Sequence, residues 1–224
     1  MFNEAEWNAI RLSLTVSGYV VLFTLPLAIP LGYVLARKEF RAKWLVEVFL
    51  NLSLVLPPVV TGYMLLLLFQ ADAPVGRFLR STFGIRVAFD WKGLVVAAAV
   101  MSFPLMVRAI RLGFQGVDPR LEMAARTLGA RRTRTFFTIS LPLAMHGVIS
   151  GSVLAFARSL GEFGATVMLV SQRESTQTIP LLIYSMRDRV GGLDAIWPLV
   201  AVSILLAGAA LAASEFLERR TRRR

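Results

Sequence analysis

Five apolar stretches, each long enough to cross a lipid bilayer, constrain this chain more than any other feature. The hydrocarbon core of a bilayer is about 30 Å thick, and a helix needs roughly 20 apolar residues to cross it. Hydrophobic residues make up 56% of the sequence and charged residues only 17%, unlike the composition of soluble domains. The sequence therefore predicts an all-α membrane protein with five transmembrane helices: Leu12–Ala36, Trp44–Phe69, Gly93–Ala109, Leu141–Val170 and Ala195–Ala213.

Two of these spans carry features that disturb a helix. The tandem prolines Pro57 and Pro58 remove two backbone donors, so they must bend the second span or leave carbonyl groups free. The fourth span, Leu141–Val170, would be about 45 Å long as a straight helix, which exceeds the thickness of the bilayer core. We expect it to tilt or to break, near Gly161 or Gly164.

The basic residues assign the two ends of the molecule to the two sides of the membrane. Of the 25 lysines and arginines, 16 lie in three segments that five spans place on one side, namely residues 37–43, 108–134 and 219–224. The positive-inside rule makes that side cytoplasmic. We therefore expect a multi-pass membrane protein with its N-terminus outside and its C-terminus in the cytoplasm.

Several kinds of site are excluded or disfavoured by composition. The absence of cysteine excludes disulfides and thiolate metal sites, and a single histidine disfavours histidine-based ones. No nucleotide-cradling glycine loop occurs, so we expect no enzyme activity and no cofactor in this chain. Because topology explains most of the net charge of +11, we expect the lipid bilayer as a partner and no nucleic acid. We expect a single domain over residues 1–224.

The loop between the third and fourth spans, residues 118–142, carries the most informative pattern. Asp118 can cap a helix, Pro119 suits its first position, and Gly129 suits the left-handed residue that ends it. A second short helix is expected over Thr133–Ile139, which completes a helix-turn-helix on the cytoplasmic side. The first helix either lies on the lipid surface or docks in a groove of a soluble partner. Its apolar face consists of Leu121, Ala124, Ala125 and Leu128.

This loop resembles the EAA loop of membrane subunits of ATP-binding-cassette importers. Met123 stands at the position of the family's glutamate and Glu122 lies one residue earlier, so the resemblance leaves open which residue makes that glutamate's ion pair. The family pattern falls on Ala124, Ala125, Gly129, Ile139, Leu141 and Pro142. The resemblance implies coupling to an ATP-binding subunit through these residues together with Leu121, Glu122, Met123 and Leu128.

Three further segments are similar to the permease subunits of molybdate importers, and the similarity runs over nearly the whole chain. They are residues 56–63, 101–111 and 156–166. The resemblance implies a binding-protein-dependent inner membrane component of MetI-like fold that forms a homodimer. It also implies two ATP-binding-cassette subunits on the cytoplasmic side, which bind the ATP, an extracytoplasmic oxyanion-binding protein, and molybdate or tungstate as cargo. The alternatives are a sulfate or thiosulfate permease and a non-transporting membrane scaffold.

Polar and helix-breaking residues inside the spans are candidates for a translocation pathway or gate. Arg158 and Glu162 share one helical face, and each charge at mid-membrane costs about 2.5–3.5 kcal/mol. They form either a buried neutralising pair or a pathway-facing pair beside the break, where freed amides could meet an anion. Arginine before glutamate is the weaker i,i+4 order, which favours other partners for each. The candidates are Pro57, Pro58, Thr61, Arg158, Glu162 and Gly164. For the prolines, the alternative is a kink that serves helix packing only.

Overall fold

The computed structural model describes residues 2–170, 176–187 and 192–222 of the chain. All regular elements among these residues are helices. A π-helical turn, Phe136–Ser140, lies between the seventh and eighth. The helices are α1 Glu4–Arg37, α2 Lys43–Val55, α3 Pro58–Phe69, α4 Pro74–Phe83, α5 Trp91–Gln115, α6 Pro119–Thr127, α7 Arg132–Thr135, α8 Leu141–Leu143, α9 Met145–Leu160, α10 Thr166–Leu169, α11 Ile179–Met186 and α12 Gly192–Arg222.

Three single helices and two bent pairs account for the five predicted spans. The helices α1, α5 and α12 are each long and apolar enough to cross a membrane. The pair α2 and α3 is bent by 111°, and the pair formed by residues 132–143 and α9 is bent by 67°. If each bent pair counts as one span, the described residues hold five, and the predicted all-α membrane fold is confirmed.

The predicted second span is broken rather than curved. Leu56 and Pro57 have extended backbone conformations, and α3 begins with Pro58 at its first position. The residue before a proline is disfavoured in the helical conformation. Proline itself suits the first turn of a helix, because an N–H group at that position would have no hydrogen-bond partner within the helix. The first proline therefore ends one helix and the second begins the next.

The predicted fourth span is interrupted at two places. The chain bends at Ala144, between α8 and α9, and α9 then ends at Leu160 with Gly161 as its C-cap. Residues 161–165 are not helical, and α10 follows them. The predicted break near Gly161 is confirmed, while the bend at Ala144 has no counterpart in the sequence prediction. With 16 residues, α9 is about 24 Å long.

The helices α1, α5 and α9 form the centre of the bundle. Helices α1 and α5 run in the same direction, with Gly32 against Ile110, while α9 runs against α5. A Cβ on Gly147 would lie 2.6 Å from the Cα of Gly113, so the two backbones touch. Only glycine permits this approach. Around it lies an apolar cluster that includes Leu35, Met106, Ile110, Phe114 and Ala144.

The two ends of the bundle differ in structure. At one end, here called the loop end, α1 and α5 finish and α6 to α8 lie. At the other, the far end, Ser13 of α1 accepts a hydrogen bond from the Ile179 amide at 2.9 Å, which ties α11 to α1. The far end also carries α4, an amphipathic helix with Phe78 and Phe83 exposed, which the sequence analysis does not predict.

Candidate functional site

The helix α6 at the loop end begins and ends as predicted. The Asp118 side chain accepts a hydrogen bond from the Arg120 amide at 2.9 Å, and Pro119 occupies the first helical position. Gly129 has a φ of +86°, a left-handed conformation that glycine adopts without strain. The predicted second helix over Thr133–Ile139 is longer, because α7 continues through the π-helical turn into α8.

Glu122 anchors α6 to the rest of the chain. This residue is only 5% exposed. Its Oε1 accepts hydrogen bonds from Arg37 Nε at 3.1 Å and from Ser140 Oγ at 2.9 Å. The Tyr33 hydroxyl and an Arg126 nitrogen lie 3.5 and 3.7 Å from Oε2. A buried carboxylate is tolerated where it is paired and hydrogen-bonded, so this junction links α1, α6 and the π-helical turn.

The loop's buried ion pair is therefore made by Glu122, one position before the residue that the family pattern indicates. Met123 occupies that position and is exposed. Arg37 also donates to the Val117 carbonyl at 2.7 Å, which fixes the end of α1 against the start of the loop. Sequence reasoning missed Arg37, Tyr33 and Ser140. A signal for the junction existed, since Glu122 is the only acidic residue between Asp118 and Glu162 and lies off the apolar face of α6.

The apolar face of α6 remains uncovered. Leu121 and Ala124 are exposed, Leu128 is 89% exposed, and Ala125 is half-buried. Because α6 is held to its own chain through Glu122, this face is left free to meet something outside the chain. Of the remaining residues that match the family pattern, Ile139 and Leu141 are half-buried, and Gly129 and Pro142 are exposed.

The second candidate region is the helix break at residues 161–165. Arg158 Nη1 lies 2.6 Å from Glu162 Oε2, so the two residues form the pair that their shared helical face predicts, although their i,i+4 order favours other partners. Glu162 is 2% exposed, and its Oε1 accepts a hydrogen bond from the Ala165 amide at 2.8 Å. One amide freed by the break is thus satisfied by Glu162 itself. The Arg158 side chain is 30% exposed.

Helix α3 packs against this break through small residues. A Cβ on Gly164 would lie 2.6 Å from the Pro58 Cβ, and one on Gly62 would lie 2.5 Å from the Ala165 carbonyl oxygen. Thr61, next to Gly62, is buried, and its hydroxyl has no hydrogen-bond partner among the described residues. The structure thus gathers Pro58, Thr61 and Gly164 at one contact. Pro57 lies exposed at the bend.

Acidic and histidine side chains do not cluster in a way that suits a metal ion. Within the ranges that the structure describes, no group of three or more such residues comes together. The two acidic residues of the candidate regions, Glu122 and Glu162, are each engaged by arginine. The loop end therefore provides a surface on which a partner could dock. The break provides an ion pair close to a helix that carries a hydroxyl group.

The chain matches known membrane transport proteins over most of its length. Residues 28–223 match the family described as binding-protein-dependent transport system inner membrane component. The molybdenum transport system permease protein ModB of Escherichia coli K12 is 52% identical over 225 residues, which cover 100% of this chain and 98% of that protein. The molybdate/tungstate permease protein WtpB of Pyrococcus abyssi is 36% identical, with 91% of this chain and 74% of that protein covered.

Solved transporters have a similar fold. A bacterial alginate ABC transporter, in complex with an alginate-bound periplasmic protein, gives a TM-score of 0.77 at 18% identity, covering 97% of this chain and 80% of that one. The inward-facing MetNI methionine ABC transporter gives 0.69 at 14% identity, covering 97% and 94%. At these identities the likeness concerns the fold alone. The match of residues 28–223 to the family and the 52% identity over the full length show that this chain belongs to the binding-protein-dependent transport system inner membrane components, multi-pass proteins of the inner membrane.

Proposed function

We propose that this chain is the permease subunit of an ATP-driven importer that carries molybdate or tungstate across the cytoplasmic membrane. The observation that carries the proposal is the 52% identity, over the full length, to a permease named for molybdenum transport. The more distant relative named for both molybdate and tungstate supports the same class of cargo. Both anions are tetrahedral and doubly charged, so one pathway suits either.

The assembly we propose is a homodimer around a pathway on its two-fold axis. Two ATP-binding-cassette subunits attach at the loop end and bind and hydrolyse the ATP, while this chain contributes neither catalytic residue nor cofactor. The excess of basic residues in the loop-end segments supports a cytoplasmic loop end, with the N-terminus outside and the C-terminus inside. An extracytoplasmic oxyanion-binding protein would deliver the cargo at the far end.

Coupling to the ATP-binding subunits would run through α6. Its uncovered apolar face suits a groove in a partner, in the helix-in-groove mode of recognition. Glu122 pairs with Arg37 of α1 and accepts from Ser140, which lies in the helix that leads to α9. A displacement of α6 would therefore reach both α1 and α9 through one carboxylate.

The pathway or gate would lie at the break, with Arg158 and Glu162 beside Pro57, Pro58, Thr61 and Gly164. The partly exposed Arg158 supplies positive charge for an oxyanion. Glu162 cancels part of that charge, which would keep the anion from being held tightly. The unpartnered Thr61 hydroxyl supports a place for a polar guest near the α3 contact.

Uptake of labelled molybdate tests the proposal. Cells that express this chain with its ATP-binding and oxyanion-binding partners should accumulate molybdate, and sulfate should not compete, whereas cells that lack only this chain should not accumulate it. Uptake of sulfate alone would support the importer mechanism but show that the cargo is sulfate. No uptake of either anion by a well-inserted, partner-bound chain would favour the scaffold and overturn the proposal.

A matched pair of substitutions tests the docking face. Leu128→Asp places a carboxylate on the uncovered apolar face, and Thr127→Asp places the same charge on the neighbouring residue outside that face. We expect Leu128→Asp to reduce retention of the ATP-binding subunit by roughly tenfold, as loss of an apolar anchor does, and Thr127→Asp to leave it nearly unchanged. Equal retention in both variants would remove this face from the interface.

A further inference from the structure

A groove opens at the loop end between the last turns of α1 and the segment α6 to α8. Its volume is about 710 Å³. Among the residues that the structure describes, four basic side chains line it, and Glu122 is the only acidic one that does so. The basic residues are Arg37, Lys38, Arg126 and Arg132. The groove therefore carries an excess of positive charge.

Two of the four cations already have a partner. Arg37 is engaged by Glu122 and by the Val117 carbonyl, and Arg126 lies 3.7 Å from Glu122. The side chains of Lys38 and Arg132 make no ion pair or hydrogen bond with the residues that the structure describes. Two positive charges without an ion-pair partner among the described residues thus line the groove and are available to an anion.

The walls of the groove are apolar. They include Pro30 and Val34 of α1 and the aromatic rings of Phe136 and Phe137. Pro30 lies seven residues before Arg37, so the wall extends about 10 Å along α1, from the end of the span into its apolar length. A free phosphate or oxyanion would fill a small part of this volume and would leave the walls unused. An amphiphile with an anionic headgroup matches both the basic side chains and the apolar walls of the groove.

We propose that this groove binds the phosphate headgroup of an anionic phospholipid from the membrane leaflet at the loop end. The phosphate lies between Lys38 and Arg132, and an acyl chain lies along Val34 and Phe137. Juxtamembrane basic residues attract anionic lipids in this way, and the apolar wall adds hydrophobic contact. Because Arg37 and Glu122 line the same groove, the lipid sits directly against the junction that holds α6.

Lipid binding by the full-length chain tests this inference. The chain is purified in a neutral detergent, and binding of phosphatidylglycerol and phosphatidylcholine is measured by native mass spectrometry. The variant Lys38→Gln/Arg132→Gln is compared with Arg131→Gln/Arg134→Gln, which removes two exposed basic residues of the same loop that do not line the groove. We expect the first variant to lose affinity for phosphatidylglycerol on the order of tenfold and the second to lose little.

Further arms separate the alternatives. Phe137→Asn removes an apolar contact of the wall without changing the charge of the groove and should weaken phosphatidylglycerol binding. The unfolding midpoint in the absence of lipid reports whether each variant folds. An equal loss of phosphatidylglycerol binding in the Lys38→Gln/Arg132→Gln and Arg131→Gln/Arg134→Gln variants would mean that the lipid is attracted by the general charge of the loop. Competition by inorganic phosphate as effective as by the lipid would mean a site for free anions. Loss of the ATP-binding subunit with lipid binding intact would make the groove a docking surface, and each of these results overturns the proposal.

Discussion

Two buried glutamates, Glu122 in α6 and Glu162 at the helix break, differ in where along the chain their partners lie. Glu122 has one neighbour in its own helix, Arg126 at 3.7 Å, but its hydrogen bonds at 3.1 and 2.9 Å come from Arg37, 85 residues away, and from Ser140, 18 residues away. Glu162 takes both of its partners from its own turn, with Arg158 four residues before it and Ala165 three residues after it.

This difference decides which segments of the chain each glutamate connects. The junction at Glu122 joins three separate segments, so none of them can move without the others or without exposing a buried charge. The break at Glu162 is self-contained, and its contact with α3 rests on close packing at Gly62 and Gly164. The loop end is therefore tied across three segments, whereas the break is held within its own turn and meets α3 through close packing.

The largest effect is expected from Glu122→Ala. It leaves Arg37 without its counter-charge in a buried position, and we expect the free energy of unfolding to fall by about 3–5 kcal/mol. Unfolding followed by tryptophan fluorescence measures it. The control is Glu39→Ala, which removes an 88% exposed partner of Lys43 and should cost less than about 1 kcal/mol. Similar losses in both variants would contradict a rigid junction.

A smaller effect is expected from Gly62→Ala, which tests the packing of α3 on the break. The added Cβ meets the Ala165 backbone, which cannot swing aside as a side chain can, so we expect a loss of about 1–3 kcal/mol. Gly18→Ala is the control, because a Cβ there meets nothing within 4 Å and alanine favours the helix. If Gly62→Ala is as stable as the control, the contact with α3 is loose.

Glu162→Gln should cost less than the loss of Glu122, about 1 kcal/mol. The glutamine oxygen can still accept from the Ala165 amide, and Arg158 is partly exposed, so its charge is not left fully buried. The same fluorescence measurement applies. A loss as large as that of Glu122→Ala would mean that Arg158 is effectively buried and would erase the contrast between the two regions.

The smallest change in stability is expected for Thr61→Val. The hydroxyl has no partner to lose, so the free energy of unfolding should stay within about 0.5 kcal/mol of the wild type. Uptake of molybdate should nevertheless fall if the hydroxyl faces the pathway, and Thr61→Ser, which keeps the hydroxyl, should retain it. Unchanged uptake in Thr61→Val would remove this residue from the pathway.

Features that depend on neighbouring residues were predictable from the sequence. Capping by Asp118, the left-handed Gly129 and the break near Gly161 all follow from local backbone preferences. The pairing of Glu122 with Arg37 was not predictable in this way, because it depends on how α1 packs beside α5. The order of Arg158 and Glu162 even pointed away from their pairing, since helix-surface rules do not describe a buried turn next to a break.

The contact between Gly113 and Gly147 has a mechanical consequence. It lies near the start of α9, which extends about 20 Å beyond Gly147 to Leu160 but only about 3 Å back to Met145, where the helix begins after the bend at Ala144. A rigid tilt of α9 about this point works as a lever with a short arm toward the loop and a long arm toward the break. Such a tilt would move the Arg158 end much farther than the end that adjoins α8. The two glycines, which lack side chains, would thus place the point about which α9 can tilt near its loop end.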